Sequence, residues 1–242
     1  MIWVAIILYV VILGAIVGAL GWAATYRKGS GHVVTEVRSV SGFDRVAVSG
    51  PGTLVLVRGN GESLSVEAED NVLPEIETKV EDGRLEIGFR RWWPRGIRPT
   101  KSIRYQLTAR SISAVSTSGS VAVKGGELRG EEVSVSTSGS SEVDLEVEAK
   151  SLQAAISGSG TFRLKGSVDD QSTRISGSGT YLARDLQSKR ASVRVSGSGR
   201  AEVAASQELS VVISGSGDVA YWGDPVVTRS VSGSGDVHRA GP

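Results

Sequence analysis

Six basic side chains, Arg90, Arg91, Arg95, Arg98, Lys101 and Arg104, fall within fifteen residues and bracket the adjacent Trp92 and Trp93. Guanidinium groups grip phosphate and carboxylate oxygens through paired N–H donors, and tryptophan adds cation–π and interfacial contacts. The stretch RRWWPRGIRPTK (90–101) is therefore the candidate ligand- and anion-binding loop, with Arg90, Arg91, Trp92, Trp93, Arg95, Arg98 and Lys101 as its gripping groups. Anionic headgroups, teichoic-type phosphates and acidic sugars are the ligands of matching chemistry. The competing reading is a solvated turn whose tryptophan pair covers the apolar end of the fold.

A second constellation is Asp218 with Asp236. Each follows Gly-Ser-Gly at the same place in a repeat. Stacked repeats would bring the two carboxylates to about 5 Å. Such a pair suits Ca²⁺ or acid–base work. The ligand set is thinner than that of calcium-binding repeats, and Arg200 occupies the same column, ready to pair with Asp218. The bland reading is a surface corner.

Composition removes most other chemistry. There are 0 cysteines, so thiol nucleophiles, disulfides and zinc–thiolate sites are absent. The only two histidines, His32 and His238, lie near opposite ends of the polar part, so neither a Ser-His-Asp triad nor a histidine metal cluster is available. Ser-Gly-Ser-Gly is followed by no Lys and no helix start, and it recurs, so it is a structural corner rather than a phosphate loop. Lys+Arg at 27 against Asp+Glu at 26 gives no footprint for nucleic acid. No cofactor, no metal and no catalytic residue is assigned, and enzymatic activity is not expected.

The elements that position these groups follow from a repeat. The segments VSTSGSV, VSTSGSS, AISGSGT, RISGSGT, RVSGSGR, VISGSGD and SVSGSGD carry their first glycines at Gly119, Gly139, Gly158, Gly177, Gly197, Gly215 and Gly233. The intervals are 20, 19, 19, 20, 18 and 18 residues. A fixed period of this size means stacked coils, none able to bury its apolar face alone. Two residues before each first Gly the column reads Thr117, Thr137, Ile156, Ile175, Val195, Ile213 and Val231; the column between it and the next apolar one is mostly polar. That is period-two alternation, hence a half-buried strand on each side of a Ser-Gly-Ser-Gly corner. Val46 to Leu56 fits the same template and reads as a first coil. Asn60-Gly61 and Asp82-Gly83 are hairpin-turn signals within a less regular stretch.

The expected architecture is all-β: a parallel β-helix, or β-solenoid, of ~19-residue coils with an elaborated N-terminal β region, preceded by one transmembrane α-helix. Residues 1–24 form the anchor, 25–38 a polar linker and 39–242 the solenoid domain. Within it, 57–112 is an irregular β-excursion and 113–239 the regular coils. The run Ile2 to Ala24 carries no charge over 23 residues. As a helix it would be about 35 Å long, enough to cross about 30 Å of hydrocarbon. No basic residue precedes it and it is long for a signal-peptide core, which favours an uncleaved anchor. Gly14-x-x-x-Gly18 is a small-residue spacing found at helix pairs and in ordinary membrane helices alike. Arg27 and Lys28 follow the run and, by the positive-inside rule, place the domain in the cytoplasm.

GFDRVAVSGPGTLVLVRG (42–59), VEAEDNVLPEIETKVEDGRLEI (66–87), SGSGDVAYWGDP ending at Pro225 and the final SVSGSGDV resemble the head GIN, or auto-transporter adhesin, domain family. The resemblance covers residues 39–238. It implies a bacterial cell-surface β-solenoid held by a membrane helix or lipid anchor, with no catalytic residues to carry over. The basic loop at 90–101 and the lack of a lipobox cysteine depart from that pattern. The resemblance points to an extracytoplasmic solenoid, against the vote of Arg27 and Lys28. The function expected is adhesion or envelope ligand recognition by a non-catalytic module. The alternatives are a self-associating structural or envelope-stress scaffold and, last, a polysaccharide lyase or hydrolase. The partners expected are the membrane, an envelope polymer, glycan or protein ligand, and further copies of the chain as a homo-oligomer.

Overall fold

Strict apolar–polar alternation cannot sit on a helix, and it yields strands over most of the described residues. The computed structural model describes residues 27–90 and 97–241. In chain order the strands are β1 (Arg27–Lys28), β2 (Val33–Arg38), β3 (Arg45–Arg58), β4 (Ser63–Glu69), β5 (Ile76–Glu81), β6 (Arg84–Phe89), β7 (Ile97–Arg98), β8 (Arg104–Ala109) and β9 (Ala114–Gly139). They continue as β10 (Glu142–Gly158), β11 (Thr161–Gly177), β12 (Thr180–Ala183), β13 (Leu186–Gly197), β14 (Arg200–Ala204), β15 (Glu208–Gly215), β16 (Asp218–Trp222), β17 (Val226–Gly233) and β18 (Asp236–Gly241). The apolar run 2–24 lies outside the described residues, and among these no helix is long and apolar enough to cross a membrane.

From β9 onward the strands pair in parallel, one coil upon the next, so the β-solenoid is as expected. The register is the one set by the repeat: Ile156 lies against Ile175, Ile175 against Val195, and Val195 against Ile213. These columns are buried, as are Val143, Phe162, Tyr181, Ala201 and Val219 beyond the corner. Each fully buried Val, Ile or Phe contributes about 1.5–3 kcal/mol by leaving water. Two polar interruptions are satisfied internally. Thr117 and Thr137 bond hydroxyl to hydroxyl at 2.9 Å. Gln171 donates to Ser188 Oγ at 2.9 Å and to the Ala204 carbonyl at 3.1 Å, while the Tyr181 hydroxyl donates to its Oε1 at 3.1 Å.

From Gly158 onward each corner has two glycines, and they have different duties. The first sits at positive φ, for example +108° at Gly177, where an L side chain is strained. A Cβ on Gly177 would also lie 2.9 Å from the carbonyl oxygen of Gly158 in the preceding coil. The second glycine makes room for a β-branched side chain from that preceding coil. A Cβ on Gly217 would lie 2.6 Å from Val195 Cγ1, and one on Gly160 would lie 2.6 Å from Thr137 Cγ2. Backbone bonding runs through the corners without a break: Ser178 N donates to Gly158 O at 3.0 Å and Thr180 N to Gly160 O at 2.8 Å.

The N-terminal region departs from the expectation in an informative way. Within the irregular stretch 57–112, β6 and β8 together make a further parallel coil. Residues 45–48 of β3 pair with 84–87 of β6, and residues 53–58 pair with 104–109 of β8. The coil 84–109 therefore stacks on the side of β3 away from β9, so spatial order and chain order are reversed here. Ile87 and Arg104 pair with Val48 and Thr53, on either side of the tight Ser49–Gly52 corner of β3, and sixteen residues separate them in the chain. Asp82-Gly83 does make a hairpin, joining antiparallel β5 and β6, with both residues at positive φ. Asn60-Gly61 does not, because β8 inserts between β3 and β4. The polar linker expected at 25–38 is also corrected: residues 33–38 form β2, which pairs antiparallel with β4. β2 and β4 cover the β8 edge and β5 covers the β6 edge, so this end of the stack is capped by antiparallel strands.

The corner geometry generates a coupled prediction. Gly217→Ala overpacks the contact with Val195 and is expected to cost about 2 kcal/mol in denaturant unfolding. Adding Val195→Ala removes the opposing methyl groups, so the double variant is expected to be more stable than the sum of the single losses by at least about 0.5 kcal/mol. Strict additivity would refute the contact.

Candidate functional site

Of the candidate loop, Arg91, Trp92, Trp93 and Arg95 lie outside the described residues. Arg90, Arg98 and Lys101 are described, and different elements hold them. Arg90 leaves β6 and is tied to the β5 side: its backbone N–H donates to the Glu75 carbonyl at 3.0 Å, and its side chain meets Glu77 at 3.2 Å. Arg98 and Lys101 belong to the far side of the loop. There β7 pairs in parallel with β1, with Arg27 opposite Ile97 and Lys28 opposite Arg98, and Gly29 N donates to Arg98 O at 2.9 Å. The end of the loop therefore lies beside the first described residues of the chain, and Arg27, Lys28 and Arg98 share one small sheet.

Glu69 fastens this arrangement. It ends β4 and is almost wholly buried. Its carboxylate accepts from Gly31 N at 2.7 Å, Thr100 N at 2.8 Å, Thr100 Oγ1 at 2.5 Å and Lys101 N at 3.3 Å. Burial pushes its pKa up, but the hydrogen bonds from Thr100, Gly31 and Lys101 outweigh burial and hold it down at about 2. The next two residues add to the knot: Asp70 accepts from Ser30 Oγ at 2.5 Å, and Asn71 binds Ser30 N and Lys28 O, each at 2.9 Å. Nothing in the sequence pattern marked Glu69 as special, because its partners lie 31 and 38 residues away. An open depression of about 550 Å³ lies next to this knot, lined by Thr100, Lys101, Ser102, Ser120, Ser140 and Glu142 among others.

Asp218 and Asp236 do stack in register on consecutive coils. The structure adds His238, two residues along the same strand face. Its Nδ1 lies 3.2 Å from Asp236 Oδ2 and 3.5 Å from Asp218 Oδ1. Arg200 stands 3.8 Å from Asp218, as its column placed it. Both carboxylates thus have a basic neighbour from the protein itself, and the group is an exposed surface cluster.

The outward face of the other ladder, over β10, β11, β13, β15 and β17, holds an open cleft of about 850 Å³. Gln153, Ser172, Ser192, Ser210 and Thr228 run along its floor in register. One side carries Asp170, Arg190 and Glu208, with the Arg190 guanidinium meeting Asp170 through two bonds of 2.5 and 2.7 Å. On the other side Arg174 lines the cleft, and Arg194 stands opposite it on the next coil, outside the lining. The adjacency of these two arginines was readable from the repeat, whereas the cleft was not.

The Glu69 knot makes stability depend on acid. A carboxyl whose pKa is lower folded than unfolded stabilises the fold fully above its unfolded value and loses that contribution as the pH falls through the folded value. The stability advantage of the native chain over Glu69→Gln is therefore expected to be full above about pH 5 and to shrink toward pH 2. Denaturant unfolding of both chains across that range measures it; a constant gap would show that Glu69 is not the titrating anchor.

Solved structures share this architecture. An adhesin described as putative from Bacteroides fragilis superposes with a TM-score of 0.79 at 19% identity, covering 89% of this chain and 99% of that one. A protein from Parabacteroides distasonis described as putative lipid binding has a TM-score of 0.72 at 24% identity, covering 89% of this chain and 100% of that one. A putative adhesin from Parabacteroides merdae has a TM-score of 0.67 at 19% identity, covering 89% and 99%. No curated protein matches the chain. At these identities the likeness establishes the fold. The family model described as "Putative auto-transporter adhesin, head GIN domain" matches residues 42–225, and the chain belongs to that family.

Proposed function

We propose that the chain is a membrane-anchored, non-catalytic module that works in adhesion or envelope ligand recognition on the outer side of the cytoplasmic membrane. The observation that carries this reading is the separation of duties between faces. Inward columns and glycine corners hold the coils together, while outward positions form long in-register rows of Ser, Thr, Gln and charge. A rigid stack with a free outward face suits repeated contacts with an extended surface polymer. The family's adhesin description supports the same reading.

The anchor in this proposal is the uncharged run 2–24. With that anchor, the pairing of β1 with β7 would bring Arg27, Lys28 and Arg98 near the membrane, where the basic loop would face anionic headgroups. The lipid-binding description of the Parabacteroides distasonis neighbour fits a headgroup ligand at that end.

Sidedness tests the proposal. The chain has 0 cysteines, and Ser178 is exposed at a corner, so Ser178→Cys supplies one reactive thiol. In cells making the full-length chain, a membrane-impermeant maleimide is expected to label it in intact cells, or after selective opening of an outer membrane. Labelling only after the inner membrane is broken would overturn the surface reading.

A self-associating scaffold is the second reading. At the other end of the stack β17 pairs only with β15 among the described strands, and Val226 and Val231 are 74% and 40% exposed. If coil ends stack there, full-length chains in detergent sediment as oligomers that Val226→Lys with Val231→Lys dissociates. A monomeric native chain would exclude it.

A further inference from the structure

The cleft on the outward face of the second ladder has a charge pattern of its own. Arg174 and Arg194 sit in register on adjacent coils, both exposed. Adjacent parallel strands are about 4.8 Å apart, so two like charges are held side by side. Neither guanidinium has an acidic partner among the described residues. Column neighbours offer none: Ala155 precedes Arg174 and Val212 follows Arg194. Arginines elsewhere on the stack differ. Arg129, Arg163 and Arg190 each meet a carboxylate on a neighbouring coil or strand position.

Opposite this pair, across the hydroxyl-bearing floor, stands the row of Asp170, Arg190 and Glu208. Four residues along a strand separate the two rows, or about 13 Å. Asp170 neutralises Arg190, which leaves Glu208 as an acceptor facing the cleft. The trough runs along the stacking axis across five coils, or about 19 Å. It thus has one rim where Arg174, with Arg194 beside it, offers guanidinium donors, a floor of small donors and acceptors at a regular rise, and one rim that accepts hydrogen bonds. A carboxylate-bearing sugar chain laid along the axis matches all three. Its acid groups meet Arg174 and Arg194, and its hydroxyls meet the serine floor and Glu208.

The geometry points to an acidic polysaccharide site in this cleft, with Arg174 and Arg194 as its anion-binding residues. The inference rests on the adhesion reading above and names the ligand class for a site separate from the basic loop. The probe is polygalacturonate, with its methyl-esterified form as the uncharged counterpart, measured against the full-length chain in detergent by calorimetry. Binding is expected for the acid and not for the ester, weakening with added salt. Arg174→Gln with Arg194→Gln is expected to weaken binding about tenfold or more, while the fold, relieved of two adjacent like charges, unfolds no more easily than the native chain. Arg163→Gln, on the other ladder, is expected to leave affinity unaltered. No binding by the native chain overturns the site, as does equal affinity in the double variant or an equal loss in Arg163→Gln. The cysteine-labelling result is independent of all three, so this site can fail while the surface placement stands.

Discussion

Everything in this molecule depends on how closely two backbones approach at the corners. Successive first glycines lie so close that a Cβ on Gly158 would meet the Gly139 carbonyl oxygen at 2.7 Å. That approach lets the amide of each following serine bond to the coil below, as Ser159 does to Gly139 at 3.0 Å. The hydrogen-bond ladder then turns the corner without a gap, and no polar backbone group is stranded there. A side chain at this place would push the coils apart and take the adjoining columns out of register.

The second corner glycine carries the constraint into the core. It receives the β-branched side chain that stands two residues before the preceding corner, as Gly179 receives Ile156 and Gly199 receives Ile175. Corner and core are thus one packing unit. Apolar columns self-stack because each coil is displaced by one strand spacing and little else. At Gln171, where the interior turns polar, the side-chain amide is paired with Ser188, Ala204 and Tyr181. The outward face is free of these demands, and that is where the charge patterns differ from coil to coil.

The two ends solve the edge problem differently. At one end, β2, β4 and β5 cover the stack with antiparallel strands. The buried carboxylate of Glu69 ties that cap to Thr100 and Lys101 at the end of the basic loop. At the other, Arg229 stands in what is an inward column elsewhere and donates to the Val237 carbonyl at 3.2 Å. A charge in that position ends the apolar column, yet it leaves Val226 and Val231 partly in water.

The sequence by itself determined the solenoid, its period and which residues face inward from Gly119 to Gly233. A recurring corner and a period-two pattern are local facts, and identical units have one way to bury identical faces. It also determined the stacking of Asp218 on Asp236 and of Arg174 on Arg194, since register follows once the corners align. Only the tertiary structure decided the rest. The coil of β6 and β8 was illegible because sixteen residues separate Ile87 from Arg104 and the two strands stack out of chain order on β3. β2 was illegible because a strand that covers an edge has no repeat to belong to. Glu69 reads as one more surface acid until long-range folding brings Gly31, Thr100 and Lys101 to its oxygens. The cleft beside Arg174 exists only when five coils lie side by side, because its floor and rims come from residues far apart in the chain and adjacent across the ladder.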